Sequence, residues 1–477
     1  MKNKWINWVR TAFLLCIVLV VLTACMGGGE GNQPSGLSGN ESKEEVTLKV
    51  TFWDEELFYQ KYGSLFVAQH PNIQFEVIST DEVWSTPGED PQQLIVQLVE
   101  EQKPDVIMLE PYLLAPLIEE GLLYELDGVI QQDGFSLEGM LPAAIDQLRW
   151  MGSGRLYGLA PAFMEDAIYY NADLFDQYGV PYPQNGMTWD DLLMLAERFP
   201  TSGASEDRVY GLQLYTREGG ADYMLRTGMQ SGLQISDPHT GKMTLSSPAW
   251  IQIAEDALRY AKSDAVYTYD PMAMNEIETY EDVIRQDLFF MKRIAMKVAD
   301  SYYMSQIQSA QNTLKEESIA NWDVVTAPTS PEAPNQSSSF YLPEVYAVHA
   351  QSEHTQAAWE FVKYVNSEEF AKLTSRSSVL NGLPVRTEYI RNEEGIQMEA
   401  FYTHSPILTV GNDYVYELLQ LPQSFVISFY ESLMKQWEKM MNGESTIEDA
   451  LRVIESESQA ALDEAMMEAG EVWGAEF

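Results

Sequence analysis

Cysteine is almost absent from this 477-residue chain: Cys16 and Cys25 are the whole supply. The body of the chain therefore has no thiol pair to join, and its stability must rest on packed apolar cores. Histidine is nearly as scarce, with five residues. Neither a Gly-x-Ser-x-Gly elbow nor a His-Glu-x-x-His helix occurs, so the common hydrolase signatures are missing. No Asp-x-Asp-x-Asp-Gly loop is present for calcium, and neither a metal nor a cofactor is expected. Positive charge is the third shortage. Twenty-nine Lys and Arg face 72 Asp and Glu, a formal charge of −43. A chain this acidic is not expected to bind nucleic acid, or to dock on anionic lipid through its general field.

What is present begins at the N-terminus. Lys2, Lys4 and Arg10 precede an apolar run from Thr11 to Leu22, and Leu22-Thr23-Ala24-Cys25 follows. That order is a lipoprotein export signal over residues 1–24, with small residues before a cysteine whose thiol accepts the lipid. The run stops at Gly27-Gly28-Gly29, short of the roughly 20 apolar residues of a permanent membrane span. Residues 25–45, rich in Gly, Ser, Asn and Pro, read as a flexible tether. The expectation is a protein held on the outer face of the cell membrane through Cys25.

Order begins with Val46-Thr47-Leu48-Lys49-Val50-Thr51-Phe52-Trp53, a β-branched and aromatic run that predicts a strand. A helical pattern runs to about Gln69, a strand spans Ile73 to Ser79, and Leu94, Ile95, Leu98 and Val99 repeat at helical spacing. Pro104-Asp105-Val106-Ile107-Met108-Leu109 then predicts a buried strand ending at Glu110-Pro111. Alternation of this kind builds a mainly parallel sheet covered by helices, with ligands bound beyond the carboxyl ends of the strands. Trp53, Asp54, Glu55, Glu110 and Tyr112 fall at such ends.

Further on, Val209 to Tyr215 and Trp322 to Thr326 read as strands, and Ser247 to Ala261 as a helix. Thr188 is expected to cap a helix, with Asp191 in its first turn, and Ser445-Thr446-Ile447-Glu448 reads as a capping box for the last helix. Pro328 to Ser338 is a loop, and Phe340 to His349 suits a return crossing. Glu165, Asp166, Tyr169 and Asp300 lie at predicted crossings or strand ends, where carboxylates accept hydrogen bonds from hydroxylated solutes and rings stack on their apolar faces. Arg386 suits either a bidentate clamp on an acidic sugar or an ion pair with a surface acid, the latter being favoured in so acidic a chain.

The passage Leu156-Tyr157-Gly158-Leu159, Tyr169-Tyr170-Asn171-Ala172-Asp173-Leu174-Phe175, Pro183 and Thr188-Trp189-Asp190-Asp191-Leu192-Leu193 resembles the family 1 extracellular solute-binding proteins of ABC importers. Met291 to Met296 and Gly382-Leu383-Pro384-Val385-Arg386 are similar to the same family. Asp300-Ser301-Tyr302 stands where relatives often have Gly-x-Trp, leaving Tyr302 or Tyr303 for the aromatic platform. The resemblance implies a periplasmic-binding-protein-like α/β fold, two lobes with a hinge and an interlobe cleft. Its segments would be residues 46–162 for the first lobe, 163–338 for the second, 339–385 returning to the first, and 386–477 as a C-terminal helical segment completing the lobes. It also implies a non-enzymatic monomer that carries a sugar to the membrane permease subunits of an ABC importer. A sensor lipoprotein reporting to a membrane receptor, or an extracellular glycoside-acting enzyme with two carboxylates, are the alternatives the sequence leaves open.

Overall fold

The computed structural model describes residues 45–469 apart from 86–90, 203–207, 214–219, 238–239, 268–278, 332, 376–381, 393–394, 409–420 and 422. The export signal and residues 25–44 of the tether, Cys25 among them, lie outside the described residues. Two five-stranded sheets organise the rest. In the first, β1 (Val46–Phe52) lies parallel between β2 (Ile73–Ser79) and β3 (Val106–Leu109). The sheet continues through the antiparallel β12 (Val345–Val348) to β4 (Gly158–Leu159). All four residues of β3 and of β12 are buried. This is the unbroken apolar run expected of a strand covered on both faces. Thr51 is the polar exception, and its hydroxyl bonds the backbone of Met108 on the neighbouring strand in both directions, at 3.1 and 2.9 Å.

The second sheet has the order β10 (Trp322–Thr326), β6 (Asp166–Asn171), β9 (Ile294–Asp300), β7 (Tyr210–Gln213) and β8 (Val266–Tyr267). Here β6 runs antiparallel to both its neighbours. Side chains alternate across a strand, and so Tyr169 and Tyr170 enter different cores. Tyr169 joins the apolar cluster that continues into the first sheet, while Tyr170 joins the one built on the second. The helices Gln423–Asn442 and Ile447–Ala469 pack on each other and on Pro248–Lys262, with Phe425, Phe429, Leu433, Leu451 and Ile454 fully buried. The C-terminal hairpin thus completes the second core.

Local chemistry sets the helix starts. Thr188 accepts from the Asp191 amide at 3.2 Å while the Asp191 carboxylate accepts from the Thr188 amide at 3.0 Å. Both satisfy amides that have no partner inside the helix Trp189–Ala196. Thr188→Ala is therefore expected to lower stability by about 1 kcal/mol, measured by denaturant unfolding. The last helix corrects the sequence reading by one residue. Its cap is Thr446, whose Oγ1 accepts from the Asp449 amide at 3.1 Å, and not Ser445 with Glu448.

The chain passes between the sheets along two adjacent paths. β5 (Ala162–Phe163) pairs antiparallel with β13 (Leu383–Pro384). Met164 and Tyr341 then exchange backbone hydrogen bonds at 2.7 and 2.9 Å. Gly382 has φ +113°, and a Cβ there would collide with the carbonyl of Phe163, which accounts for glycine at this position. A further short pair, β11 (Gln336–Ser337) with β14 (Ser405–Pro406), lies beside the return path.

Candidate functional site

The carboxyl ends of β1 and β3 lie side by side because Val50 and Thr51 pair with Val106 and Ile107. Trp53 follows β1 and is half-buried, its ring 4.9 Å from that of Phe52. Asp54 caps the short helix Glu55–Phe58, accepting from the Leu57 amide at 2.8 Å, and remains exposed with Glu55. At the end of β3, Glu110 is half-buried and accepts from the Tyr341 hydroxyl at 3.0 Å. Tyr112 is 6% exposed and meets Trp84 edge to face at 5.9 Å. Trp84, 37% exposed, escaped the sequence reading because it stands in no strand-end pattern.

Tyr341 links this edge to the crossing, since its backbone pairs with Met164 while its hydroxyl reaches Glu110. The next residue, Glu165, is 2% exposed. Its Oε1 accepts from the hydroxyls of Ser337, at 2.7 Å, and Ser339, and from the Asp166 amide at 2.9 Å. Burial pushes this carboxyl up to about 8, with the two serines opposing and the Asp166 charge assisting.

Asp166 opens β6 directly opposite Asp300, the last residue of β9. Burial raises Asp166 to about 6; the Arg226 guanidinium opposes the rise and Asp300 adds to it. Asp300 is raised by burial, against the Tyr302 and Tyr303 amides that it accepts at 2.8 and 3.2 Å. Those bonds present Tyr302, 50% exposed, at the start of the helix Tyr303–Leu314. Behind it lies a buried cluster in which Asp287 accepts from Lys297 at 2.5 Å and from the Tyr303 hydroxyl at 2.8 Å. Arg226, on the helix Gly220–Gln230, carries no sequence motif, and only folding brings it to Asp166.

Three of the residues expected to meet solute take partners within the protein. Tyr169 is fully buried and spends its hydroxyl on the Asp300 carbonyl at 2.8 Å. Glu165 has its Oε1 engaged by the crossing itself. Arg386, 5% exposed, donates to the carbonyls of Asn366, Glu138 and Ser136 at 2.9, 3.2 and 3.1 Å. It staples three segments of chain, and its guanidinium also pairs with the exposed Glu368 carboxylate at 3.7 Å, the surface ion pair that the sequence favoured. Among the described residues, no three His, Cys, Asp or Glu side chains converge as they would on a metal ion.

Aromatic rings and carboxylates therefore stand at the strand ends of both sheets, joined by crossing segments. The sequence matches the family model for the bacterial extracellular solute-binding protein over residues 64–403. The chain belongs to that family. A binding protein of Brucella abortus is 24% identical over 363 residues, covering 74% of this chain and 79% of that one.

Among solved structures, a sugar transporter of Rhizobium etli in an open conformation superposes with TM-score 0.63 at 20% identity, over 87% of this chain and 99% of that one. The sugar-binding protein MalE of Xanthomonas citri gives 0.61 at 14% identity, over 89% and 100%. An ABC substrate-binding protein of Listeria monocytogenes in complex with cycloalternan gives 0.58 at 20% identity, over 90% and 100%. The two-lobed α/β architecture expected from the sequence is thus the fold of this family member. No helix among the described residues is long and apolar enough to cross a membrane.

Proposed function

We propose that this family member captures a neutral sugar or oligosaccharide between its lobes and delivers it to the permease of an ABC importer, anchored outside the cell through Cys25. The observation that carries the reading is the presence of half-exposed rings, Trp53 and Tyr302, and of carboxylates, Glu110, Asp166 and Asp300, at strand ends of both sheets. A sugar offers apolar faces to such rings and hydroxyl donors to such acceptors. The names borne by the structural relatives, which refer to sugar transport and to cycloalternan, favour the same class. A solute touching both lobes binds the closed arrangement better, and so it shifts the population toward closure without any bond chemistry.

The test is a thermal-shift and calorimetric panel of maltotriose, cycloalternan, uronides, polyols and amino sugars on protein lacking residues 1–43. Saturable stabilisation by a sugar that is recovered intact supports the reading. Stabilisation by none of the sugars, or release of product from one, overturns it. For a sugar that binds, Trp53→Ala is expected to weaken affinity about 10- to 100-fold, or roughly 1.4–2.8 kcal/mol, with the melting temperature of the free protein little changed. The anchor is tested separately: Cys25→Ala is expected to move the protein from the membrane fraction into the medium.

A further inference from the structure

The stretch after Trp53 is wound unusually. Between the helices Glu55–Phe58 and Ser64–Gln69 lies one turn of π-helix, Tyr59–Gly63. Such a wide turn is uncommon and is often found beside functional sites. It turns three consecutive residues inward, so that Lys61, Tyr62 and Gly63 are all buried. Gly63 is needed there, since a Cβ would stand 2.8 Å from the rings of both Phe58 and Tyr59.

Lys61 is 7% exposed, in a chain with 43 more acidic than basic side chains to offer it at the surface. Its ammonium meets Glu344, 1% exposed, at 3.1 Å. The same carboxylate accepts from the Tyr62 hydroxyl and from the Tyr346 hydroxyl, the latter at 2.8 Å. Glu344 and Tyr346 belong to the return path and β12, so the cluster ties the turn after β1 to a strand 283 residues away. The Lys61 ammonium also lies 5.7 Å from the centroid of the Trp53 ring, within cation–π range.

We infer that Lys61 is a positioning residue for Trp53: clamped by Glu344, it holds the half-exposed ring in one orientation for the solute. This role rests on Trp53 lying in the proposed sugar site. A flexible ammonium would not fix a ring by itself, because lysine has four rotatable bonds. Three donors converging on one carboxylate remove that freedom, and the π-turn supplies two of them from neighbouring residues. Stacking on a sugar depends on ring orientation, and pre-setting it avoids an ordering cost on binding.

The experiment uses protein labelled with 5-fluorotryptophan, the Trp53 resonance being assigned by its loss in Trp53→Phe. Removing one member of a buried pair strands the other charge, whereas removing both does not. The principal variant is therefore Lys61→Met combined with Glu344→Gln. The Trp53 resonance is expected to shift and to broaden or split, while the other tryptophan resonances hold their places. Lys61→Arg, which keeps the charge, should restore a single Trp53 line close to that of the unmodified protein, and it serves as the test if the double variant does not fold. An unchanged Trp53 line in the double variant overturns the inference, as does a Lys61→Arg line as broad as that of the double variant. A merely structural pair would lower the melting temperature and leave that line alone. Failure of every sugar to bind would remove the proposed function without altering this fluorine result, so the two failures are distinguishable.

Discussion

Glu165→Gln is expected to stabilise the protein at pH 9 and to leave its stability unchanged at pH 4. In the folded chain the Glu165 carboxyl sits at about 8, raised by burial from an ordinary value near 4.5. Below about 4.5 both folded and unfolded chains hold the proton, and the group contributes no pH dependence. Between there and 8 the unfolded chain releases its proton while the folded chain keeps it. Native protein then binds more protons than unfolded protein, and stability falls as pH rises. Above 8 both are ionised and the loss is complete. Glutamine does not titrate and can still accept from Ser337 and Ser339, so it escapes the loss.

The expected gain at pH 9 is about 2–4 kcal/mol, somewhat below the roughly 5 kcal/mol that a shift of this size carries at an isolated site. The neighbouring Asp166, raised to about 6, shares part of the effect. Urea unfolding of both proteins from pH 4 to 9 measures it. A difference between them that stays constant across that range would show that Glu165 does not hold its proton in the crossing.

Glu344→Ala should be among the most destabilising single substitutions around the first sheet, costing about 3–5 kcal/mol. It strands the Lys61 ammonium in the interior and removes the acceptor of two buried tyrosine hydroxyls, Tyr62 and Tyr346. Lys61→Met combined with Glu344→Met should cost markedly less, because no charge is left without a partner. Guanidinium unfolding of the three proteins compares them directly. Equal losses in the single and double variants would mean that packing volume, and not charge, dominates the cluster.

Much of the architecture was legible locally. β2 and β10 occupy the residues read as strands, Ile73–Ser79 and Trp322–Thr326. The helix Pro248–Lys262 begins behind Ser247, and that at Trp189 behind Thr188. Each follows from a period, a β-branched run or a hydroxyl before a helix, all within a few residues. The π-turn was not legible, because helical periodicity over Glu55 to Gln69 does not show where one residue is inserted. Nor was the interior course of Arg386, whose three acceptors lie 20 to 250 residues away in the chain.

The sequence by itself determined the acidic and cysteine-poor character of the chain, the alternation of strands and helices, and the strand ends at which Trp53, Glu110 and Asp300 stand. These depend on composition and on neighbours in the chain. Tertiary structure alone decided which polar groups face inward. It set Tyr169 into the core and Glu165 among the serines of the crossing, brought Arg226 to Asp166, and closed Lys61 onto Glu344. A side chain's direction and partner depend on what the opposite segment supplies once the sheets have formed. Burial then favours each pairing, because a buried polar group left without a partner costs a sizeable fraction of the stability of a folded domain.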